Sequence, residues 1–156
     1  MKGNLEKMIK TLYVAYGSNL NMVQMANRCP DARPLGTSEL VGYELKFRGN
    51  RSGWGVANIE KRKNSIVPVG VWSISRNDEI NLDLYEGYPH LYVKNYLPVQ
   101  LSGETVKALV YVMRTGHEIA FPSEAYYNTI LEGYKDFGID PTALQEAANK
   151  CSYLAK

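Results

Sequence analysis

A glycine-containing corner near the start of the chain is the first group of residues suited to binding a charged ligand. Residues 11–16 alternate in the manner of a strand, and a helical pattern begins at Asn21, after Gly17, Ser18 and Asn19. Successive backbone N–H groups in such a turn form an anion site, which the following helix strengthens, and glycine allows backbone angles that other residues avoid. We expect a carboxylate or phosphate to bind here. A plain turn, whose Ser and Asn side chains bond to their own backbone, explains the same residues.

Glu86 is the candidate for proton transfer. It stands at the end of a predicted helix, before Gly87 and beside Tyr85 and Tyr88. The helix dipole disfavours a negative charge there, and apolar or aromatic surroundings raise a carboxyl pKa, which suits an acid–base catalyst near neutral pH. The alternative is a solvated glutamate ahead of a helix-ending glycine. Asp83, three residues earlier, is expected to face solvent.

Tyr126 belongs to a third candidate motif, Pro-Ser-Glu-Ala-Tyr at residues 122–126, in which Ser123 is a good helix cap. It falls on the apolar stripe of the helix that follows, so its simplest interpretation is a core tyrosine. The same interpretation applies to Tyr92. His90 and His117 lie apart in loops and are given no role.

The elements that must position these residues are mostly strands, with one helix early, one in the middle and two at the end. Strands are predicted at 11–16, 40–48, 54–60, 67–74, 92–101 and 106–113, and helices at 21–28, from 75 to about 86, from 123 to 138 and from 141 onwards. In the second strand, alternation groups Val41, Tyr43, Leu45 and Phe47 on one face. This order predicts an α+β fold, a small mixed or antiparallel sheet curled into a β-barrel with α-helices packed outside it.

Composition excludes several classes of protein. The chain has 156 residues, which predicts a single domain spanning 1–156, and its net charge of +2 gives no reason to expect nucleic acid or a membrane surface as a partner. No run approaches the about 18 apolar residues of a membrane span, and the first ten residues lack a signal sequence. Cys29 and Cys151 form no metal-type pair. We expect a cytoplasmic protein without metal, cofactor or disulfide.

Six short segments, in order along nearly the whole chain, carry a resemblance to a known family. They are YGSNL at 16–20, ANI at 57–59, GVW at 70–72, LDLYEG at 82–87, Tyr92, and P-S-x-x-Y at 122–126. On these residues the chain resembles the gamma-glutamylcyclotransferase family of the AIG2-like superfamily. YGSN followed downstream by L-D-x-x-E-G makes the resemblance specific. The glutathione-specific branch has a YGSL-type loop, so Asn19 makes this chain more similar to the branches that act on gamma-glutamyl amino acids and amines.

The resemblance implies a small barrel flanked by helices, with the YGSNL loop lining a cavity and Glu86 inside it as the catalytic acid–base. It implies that the substrate is bound by Tyr16, Gly17, Ser18, Asn19, Leu20, Tyr92 and Tyr126. The implied reaction cyclises the gamma-glutamyl group of a small gamma-glutamyl amino acid or amine to 5-oxoproline and frees the amine. It is an intramolecular acyl transfer of the transferase or lyase type, and it needs no cofactor.

Two alternatives stay open at this stage. One is a non-catalytic member of the superfamily that keeps the pocket, and the other is a biosynthetic variant that removes a gamma-glutamyl group from a larger amine. The sequence does not identify the amine. Residues 48–54 and 115–121 are expected to border the cavity and influence that choice.

Overall fold

The computed structural model describes residues 10–154, which form one mixed sheet with helices packed against it. The strands are β1 (Thr11–Ala15), β2 (Arg33–Gly49), β3 (Gly55–Ile74), β4 (Tyr92–Leu101) and β5 (Glu104–Met113). The helices are α1 (Met22–Arg28), α2 (Arg76–Tyr85), α3 (Glu124–Asp136) and α4 (Thr142–Leu154), and a 3₁₀ turn (Ser18–Leu20) joins β1 to α1. The predicted α+β class is confirmed. None of the helices described is long and apolar enough to cross a membrane.

The sheet has the strand order β2-β3-β1-β5-β4, with β1 in the centre. β1 runs antiparallel to β3 and parallel to β5, and the pairs β2–β3 and β4–β5 are antiparallel, so the sheet is mixed as expected. The edge strands β2 and β4 approach each other. No hydrogen-bonded ladder joins them within residues 10–154, so the sheet is curled like a barrel but not closed.

β3 corrects the prediction of two separate strands at 54–60 and 67–74, because it is one strand of 20 residues. The polar stretch between those segments, 61–65, suggests a loop by composition. Its backbone instead stays within β3 while the side chains of residues 61–64 are exposed. The strand β2 is likewise longer than predicted and begins at Arg33.

A bulge between β2 and β3 explains why Val41, a predicted core residue, is exposed to solvent. Leu45 and Phe47 are buried as the alternation predicts, but Val41 is 73% exposed and its neighbour Leu40 is buried instead. The register shifts between Val41 and Tyr43, and Gly42 has φ +85°. An irregularity of this kind moves the alternation by one residue, which turns Val41 towards solvent.

Side-chain caps fix the starts of α1, α2 and α3, and the predicted cap at Ser123 is confirmed. Ser75 Oγ accepts the Asp78 N–H at 3.1 Å, and Asp78 Oδ2 accepts the Ser75 N–H at 3.0 Å, which is a complete capping box at the start of α2. Asn21 caps α1, and Ser123 caps α3. These caps fix where three helices start, and therefore where the corner before α1, the end of α2 and the first turn of α3 lie.

The 3₁₀ turn is held between β3 and α3 by two glycines. A Cβ atom on Gly70 would lie 2.8 Å from Leu20 Cδ2, and one on Gly133 would lie 2.6 Å from the Leu20 carbonyl carbon. Leu20 itself is completely buried. The absence of side chains at these two positions lets the Leu20 side chain pack directly against β3 and the backbone of the turn pack directly against α3.

The substitution Gly133→Ala should lower the free energy of unfolding. Alanine favours a helix over glycine by about 1 kcal/mol, but here its methyl group overlaps backbone atoms that cannot move aside easily. Overpacking of that kind costs about 1–3 kcal/mol, so the clash should outweigh the helix propensity. Urea unfolding measures the change. Asn128→Ala, at an exposed position of the same helix, is the control. A free energy of unfolding of Gly133→Ala equal to or above that of the parent protein would contradict the close packing.

Candidate active site

A cavity of about 190 Å³ opens beside the 3₁₀ turn, between the end of α2 and the start of α3. Every predicted site residue except Leu20 lines it, namely Tyr16, Gly17, Ser18, Asn19, Glu86, Tyr92 and Tyr126. The other lining residues come mainly from the surrounding strands and loops and are Tyr13, Asn50, Val56, Ala57, Tyr85, Leu91 and Tyr111. Residues that are distant in sequence therefore meet at one place.

Leu20 is the predicted binding residue that the structure does not bring to the cavity. Its side chain is completely buried in the core and lies against Gly70. It anchors the turn from beneath while the three residues before it border the cavity. Its contribution to the site is therefore to hold the corner in place.

Gly17 is needed for the space that a side chain would otherwise fill. Its φ is −124°, outside the left-handed region. A Cβ atom there would lie 3.0 Å from Ala57 Cβ and 3.6 Å from the Tyr126 hydroxyl oxygen. The glycine keeps this wall of the cavity open and brings the backbone close to Tyr126.

The corner retains unpaired backbone donors beside the cavity. Leu20 and Asn21 donate their N–H groups to Gly17 O and Ser18 O at 3.0 Å. In the part of the chain that the structure describes, the N–H groups of Gly17, Ser18 and Asn19 have no hydrogen-bond partner. Adjacent unpaired N–H groups at a cavity wall are suited to an anion.

The start of α1 does not add to this anion site, contrary to expectation. The Met22 N–H donates to Asp136 Oδ2 at 2.9 Å, and the Gln24 N–H donates to Asn21 Oδ1 at 3.0 Å. These donors of the first turn are already used within the protein. No residue of α1 is among those that line the cavity, so the backbone donors at the cavity wall are those of the corner.

Glu86 directly follows α2, and its N–H donates to Leu82 O at 2.8 Å. Burial raises the pKa of its carboxyl to about 7, and the Arg28 cation opposes the rise. The predicted direction is confirmed, and its main cause is removal of the carboxyl from water. A carboxyl with this pKa exists in both protonation states near neutral pH and can accept or donate a proton.

Asn19 connects the corner to its surroundings. Its Oδ1 accepts hydrogen bonds from Arg28 Nη1 at 2.7 Å and from Gln24 Nε2 at 3.3 Å. Its Nδ2 donates to Tyr13 Oη at 2.9 Å and lies 3.5 Å from Glu86 Oε1. All parts of this side-chain amide are therefore engaged, and its orientation in the cavity wall is fixed.

Tyrosine hydroxyls form much of the polar wall. Tyr126 Oη accepts the Ala57 N–H at 2.9 Å, and Tyr92 Oη donates to Ala57 O at 2.7 Å. Tyr16 Oη donates to the carbonyl oxygen of Tyr111. Because Tyr126 is an acceptor from Ala57, its own proton remains available to a ligand. Tyr92 and Tyr126 are thus packed in the protein and border the cavity at once.

Tyr13, Tyr111 and Arg28 are members or neighbours of the site that sequence reasoning missed. Tyr13 and Tyr111 lie on strands where alternation indicates only a core position. Arg28 ends α1, and nothing in the sequence distinguishes it from other basic residues. Each of the three residues takes part in the site through a hydrogen bond to another side chain, and the sequence alone does not predict these contacts.

Asp83 does not face solvent, which corrects the expectation. Tyr111 Oη donates to Asp83 Oδ1 at 2.6 Å, and Lys94 Nζ lies 2.9 Å from the same carboxylate. Lys94 also contacts Glu79 at 2.7 Å. This ion-pair cluster ties α2 to β4 and β5 and holds one tyrosine of the cavity wall.

A second, more open cavity of about 550 Å³ lies next to the first and shares Asn50 and Leu91 with it. Its remaining lining residues are Arg51, Ser52, Asp83, Leu84, Gly87, Tyr88, His90 and His117. We call it the outer groove. The two segments expected to border the cavity, 48–54 and 115–121, both contribute to it. Among residues 10–154, no cluster of three His, Cys, Asp or Glu side chains is arranged to hold a metal ion.

Together, the glycine-containing corner, the tyrosine hydroxyls and the buried Glu86 carboxyl form a polar inner cavity beside the mixed sheet, as in an enzyme active site. The model of the family described as "Gamma-glutamyl cyclotransferase, AIG2-like" matches residues 13–129, and the chain belongs to this family. It is 31% identical over 152 residues to the bovine gamma-glutamylcyclotransferase, covering 88% of this chain and 77% of that protein. It is 33% identical over 144 residues to the human gamma-glutamylcyclotransferase, covering 86% and 75%.

The fold agrees with a solved structure. A protein described as gamma-glutamyl cyclotransferase superposes with a TM-score of 0.80 at 27% sequence identity, covering 89% of this chain and 86% of that chain. The family resemblance drawn from the short motifs is therefore confirmed over most of the chain.

The substitution Tyr126→Phe should lower the melting temperature, because it leaves the Ala57 N–H without its acceptor. An unsatisfied buried donor costs about 1–3 kcal/mol. Thermal unfolding followed by circular dichroism measures the effect. Tyr127→Phe on the same helix is the control, and a melting temperature of Tyr126→Phe equal to that of the control would mean that the hydroxyl does not support β3.

Proposed function

We propose that this protein is a gamma-glutamylcyclotransferase, which converts a gamma-glutamyl amino acid or amine to 5-oxoproline and the free amine. The observation that carries the proposal is the Glu86 carboxyl, whose pKa is about 7, in one cavity with the unpaired N–H groups of Gly17, Ser18 and Asn19. The curated relatives named as gamma-glutamylcyclotransferases support it.

The substrate supplies both reacting groups. Its alpha-amine attacks its own gamma-carbonyl carbon, forming the C–N bond of a five-membered ring, and the original amide C–N bond then breaks. Holding the folded conformer can contribute on the order of 7–11 kcal/mol when the groups are well aligned. The protein therefore has to hold that conformer and move protons.

Glu86 performs both proton transfers in turn. Its carboxylate accepts a proton from the attacking nitrogen, and the resulting carboxylic acid returns a proton to the departing nitrogen. No net proton is gained or lost, so one group with a pKa near 7 suffices.

The corner and Tyr126 orient the substrate. The N–H groups of Gly17, Ser18 and Asn19 are suited to bind the alpha-carboxylate, which stays negatively charged throughout the reaction. The free proton of Tyr126 is suited to a substrate oxygen, including the one that gains charge during attack. Preorganised donors of this kind stabilise developing charge without rearranging.

The outer groove receives the amine half of the substrate. It adjoins the inner cavity through Asn50 and Leu91, and its volume of about 550 Å³ exceeds the 190 Å³ of the inner cavity. This volume also supports a second candidate function, the removal of a gamma-glutamyl group from an amine larger than an amino acid.

A cytoplasmic location fits Cys29 and Cys151, which are buried free thiols.

The substitution Glu86→Gln should abolish most of the activity while substrate still binds. The amide keeps the shape of the side chain but cannot shuttle a proton, so kcat should fall roughly 100- to 10,000-fold. Release of 5-oxoproline from a panel of gamma-glutamyl dipeptides and amines measures the rate, and calorimetric titration of the variant measures binding.

Glu104→Gln is the matched control for this experiment. Glu104 is exposed at the β4–β5 turn, whereas Asp83 is unsuitable because it holds Tyr111. Full activity of Glu86→Gln, or an equal loss in both variants, would rule out Glu86 as the proton shuttle. Binding of gamma-glutamyl compounds without turnover by the parent protein would favour a non-catalytic binding role.

The substitution Arg51→Ala should distinguish gamma-glutamyl amino acids from gamma-glutamyl amines. Arg51 adds a cation to the outer groove, where the leaving amino acid presents its carboxylate. Exposed ion pairs contribute about 0–1 kcal/mol, so KM for a gamma-glutamyl amino acid should rise about 2- to 5-fold. KM for a gamma-glutamyl alkylamine should not change. Lys61→Ala is the control, and equal effects on both substrates would exclude charge recognition by Arg51.

A further inference from the structure

Arg28 lies behind the wall of the inner cavity and does not line it. Its Nη1 donates to Asn19 Oδ1 at 2.7 Å and lies 3.4 Å from Ser18 Oγ. Its guanidinium carbon lies 3.1 Å from the centre of the Tyr85 ring. A cation held between an amide oxygen and an aromatic face is fixed in position without contacting the cavity.

The charge of Arg28 is not neutralised by an adjacent carboxylate. In the described part of the chain, no carboxylate forms a salt bridge with Arg28. By contrast, Arg48 donates to both oxygens of Glu60. The positive field of Arg28 therefore acts on the cavity, where Glu86 is the carboxylate among the lining residues.

The contact with Arg28 also decides which way the Asn19 amide points. Arg28 has only donors, so the oxygen of the amide must face it. The opposite end, Nδ2, then faces Tyr13 Oη at 2.9 Å and Glu86 Oε1 at 3.5 Å. Reversing the amide would bring an acceptor against the carboxylate and a donor against the guanidinium.

We propose that Arg28 is a positioning residue for the cyclisation, which acts through Asn19 to direct an N–H donor at Glu86 and to favour the ionised form that accepts the first proton. This inference rests on the proposed function, because it assigns Arg28 a part in that proton transfer. Arg28 is not a catalytic residue, since it touches neither the cavity nor the reacting atoms.

The electrostatic surroundings of Glu86 agree with this role. Burial raises the pKa of Glu86, and the Arg28 cation lowers it. The other titratable groups that act with Glu86 come from β1, the corner, β4 and α3, and they are the hydroxyls of Tyr13, Tyr16, Tyr92 and Tyr126. Burial raises the pKa of each of these hydroxyls, so they stay neutral over the range in which Glu86 titrates. Removing the Arg28 charge should therefore raise the pKa of Glu86.

The experiment compares Arg28→Met and Arg28→Lys with the parent. In Arg28→Met, the rising limb of kcat/KM against pH should move to higher pH, with a several-fold loss near about pH 6 that shrinks above about pH 8. In Arg28→Lys, the charge remains but the planar contact with Asn19 is lost, so the limb should stay in place while kcat falls. Arg76→Met, which removes an exposed arginine on α2, is the control and should change neither quantity.

Direct titration of Glu86 makes the test independent of activity. The carboxyl carbons are labelled with ¹³C-glutamate, and the Glu86 signal is assigned by its loss in Glu86→Gln. An upward shift of the Glu86 titration in Arg28→Met supports the proposal. Arg28→Gln, which keeps a donor for Asn19 without the charge, gives the same test if Arg28→Met does not fold.

The outcomes separate this inference from the proposed function. An unmoved Glu86 titration, with an equal loss of activity at every pH, would overturn the role of Arg28 and leave the cyclotransferase assignment intact. A parent protein that releases no 5-oxoproline from any gamma-glutamyl substrate would overturn the assignment and the catalytic part of the inference. A Glu86 titration shifted in Arg28→Met would then establish only the electrostatic link.

Discussion

The direct packing of the 3₁₀ turn against two glycines is the constraint on which the cavity depends. Leu20 fits between Gly70 of β3 and Gly133 of α3, at distances that leave no space for a methyl group on either glycine. Trp72 Nε1 also donates to the Asn19 carbonyl oxygen at 3.1 Å. The backbone of the corner is therefore fixed on both sides, and its free N–H groups keep a defined direction without support from a bound ligand.

The polar wall of the cavity is rich in groups that bind protons tightly. The hydroxyls of Tyr13, Tyr16, Tyr92 and Tyr126 remain neutral near physiological pH, because burial raises each pKa. They supply hydrogen bonds without adding charge. Glu86 is then the lining carboxyl that changes protonation state in this range. In this site, many neutral groups orient the ligand and one carboxyl transfers protons.

The features that the sequence predicts best are local ones. The caps at Asn21, Ser75 and Ser123 depend on residues three or fewer positions apart. The sequence also predicts that the pKa of Glu86 is raised, and in the structure burial raises it. The features that it does not predict depend on distant partners. Arg28 acquires its position from Asn19 and Tyr85, and residues 61–65 remain in a strand because β3 pairs with β2 on either side of them. Leu20 resembles a binding residue only because it follows the YGSN motif.

The length of β3 has a consequence for how the chain tolerates insertions. Its first half presents Ala57 to Tyr92 and Tyr126, and its second half pairs with β1 in the core. Between them lies the bulge near Gly42 and Asn64, where both residues have positive φ. A residue added in that bulge can be taken up as a larger loop, whereas one added in either half turns every later side chain to the opposite face. The bulge thus uncouples the two halves of one strand, and variation in chain length among related sequences should concentrate there.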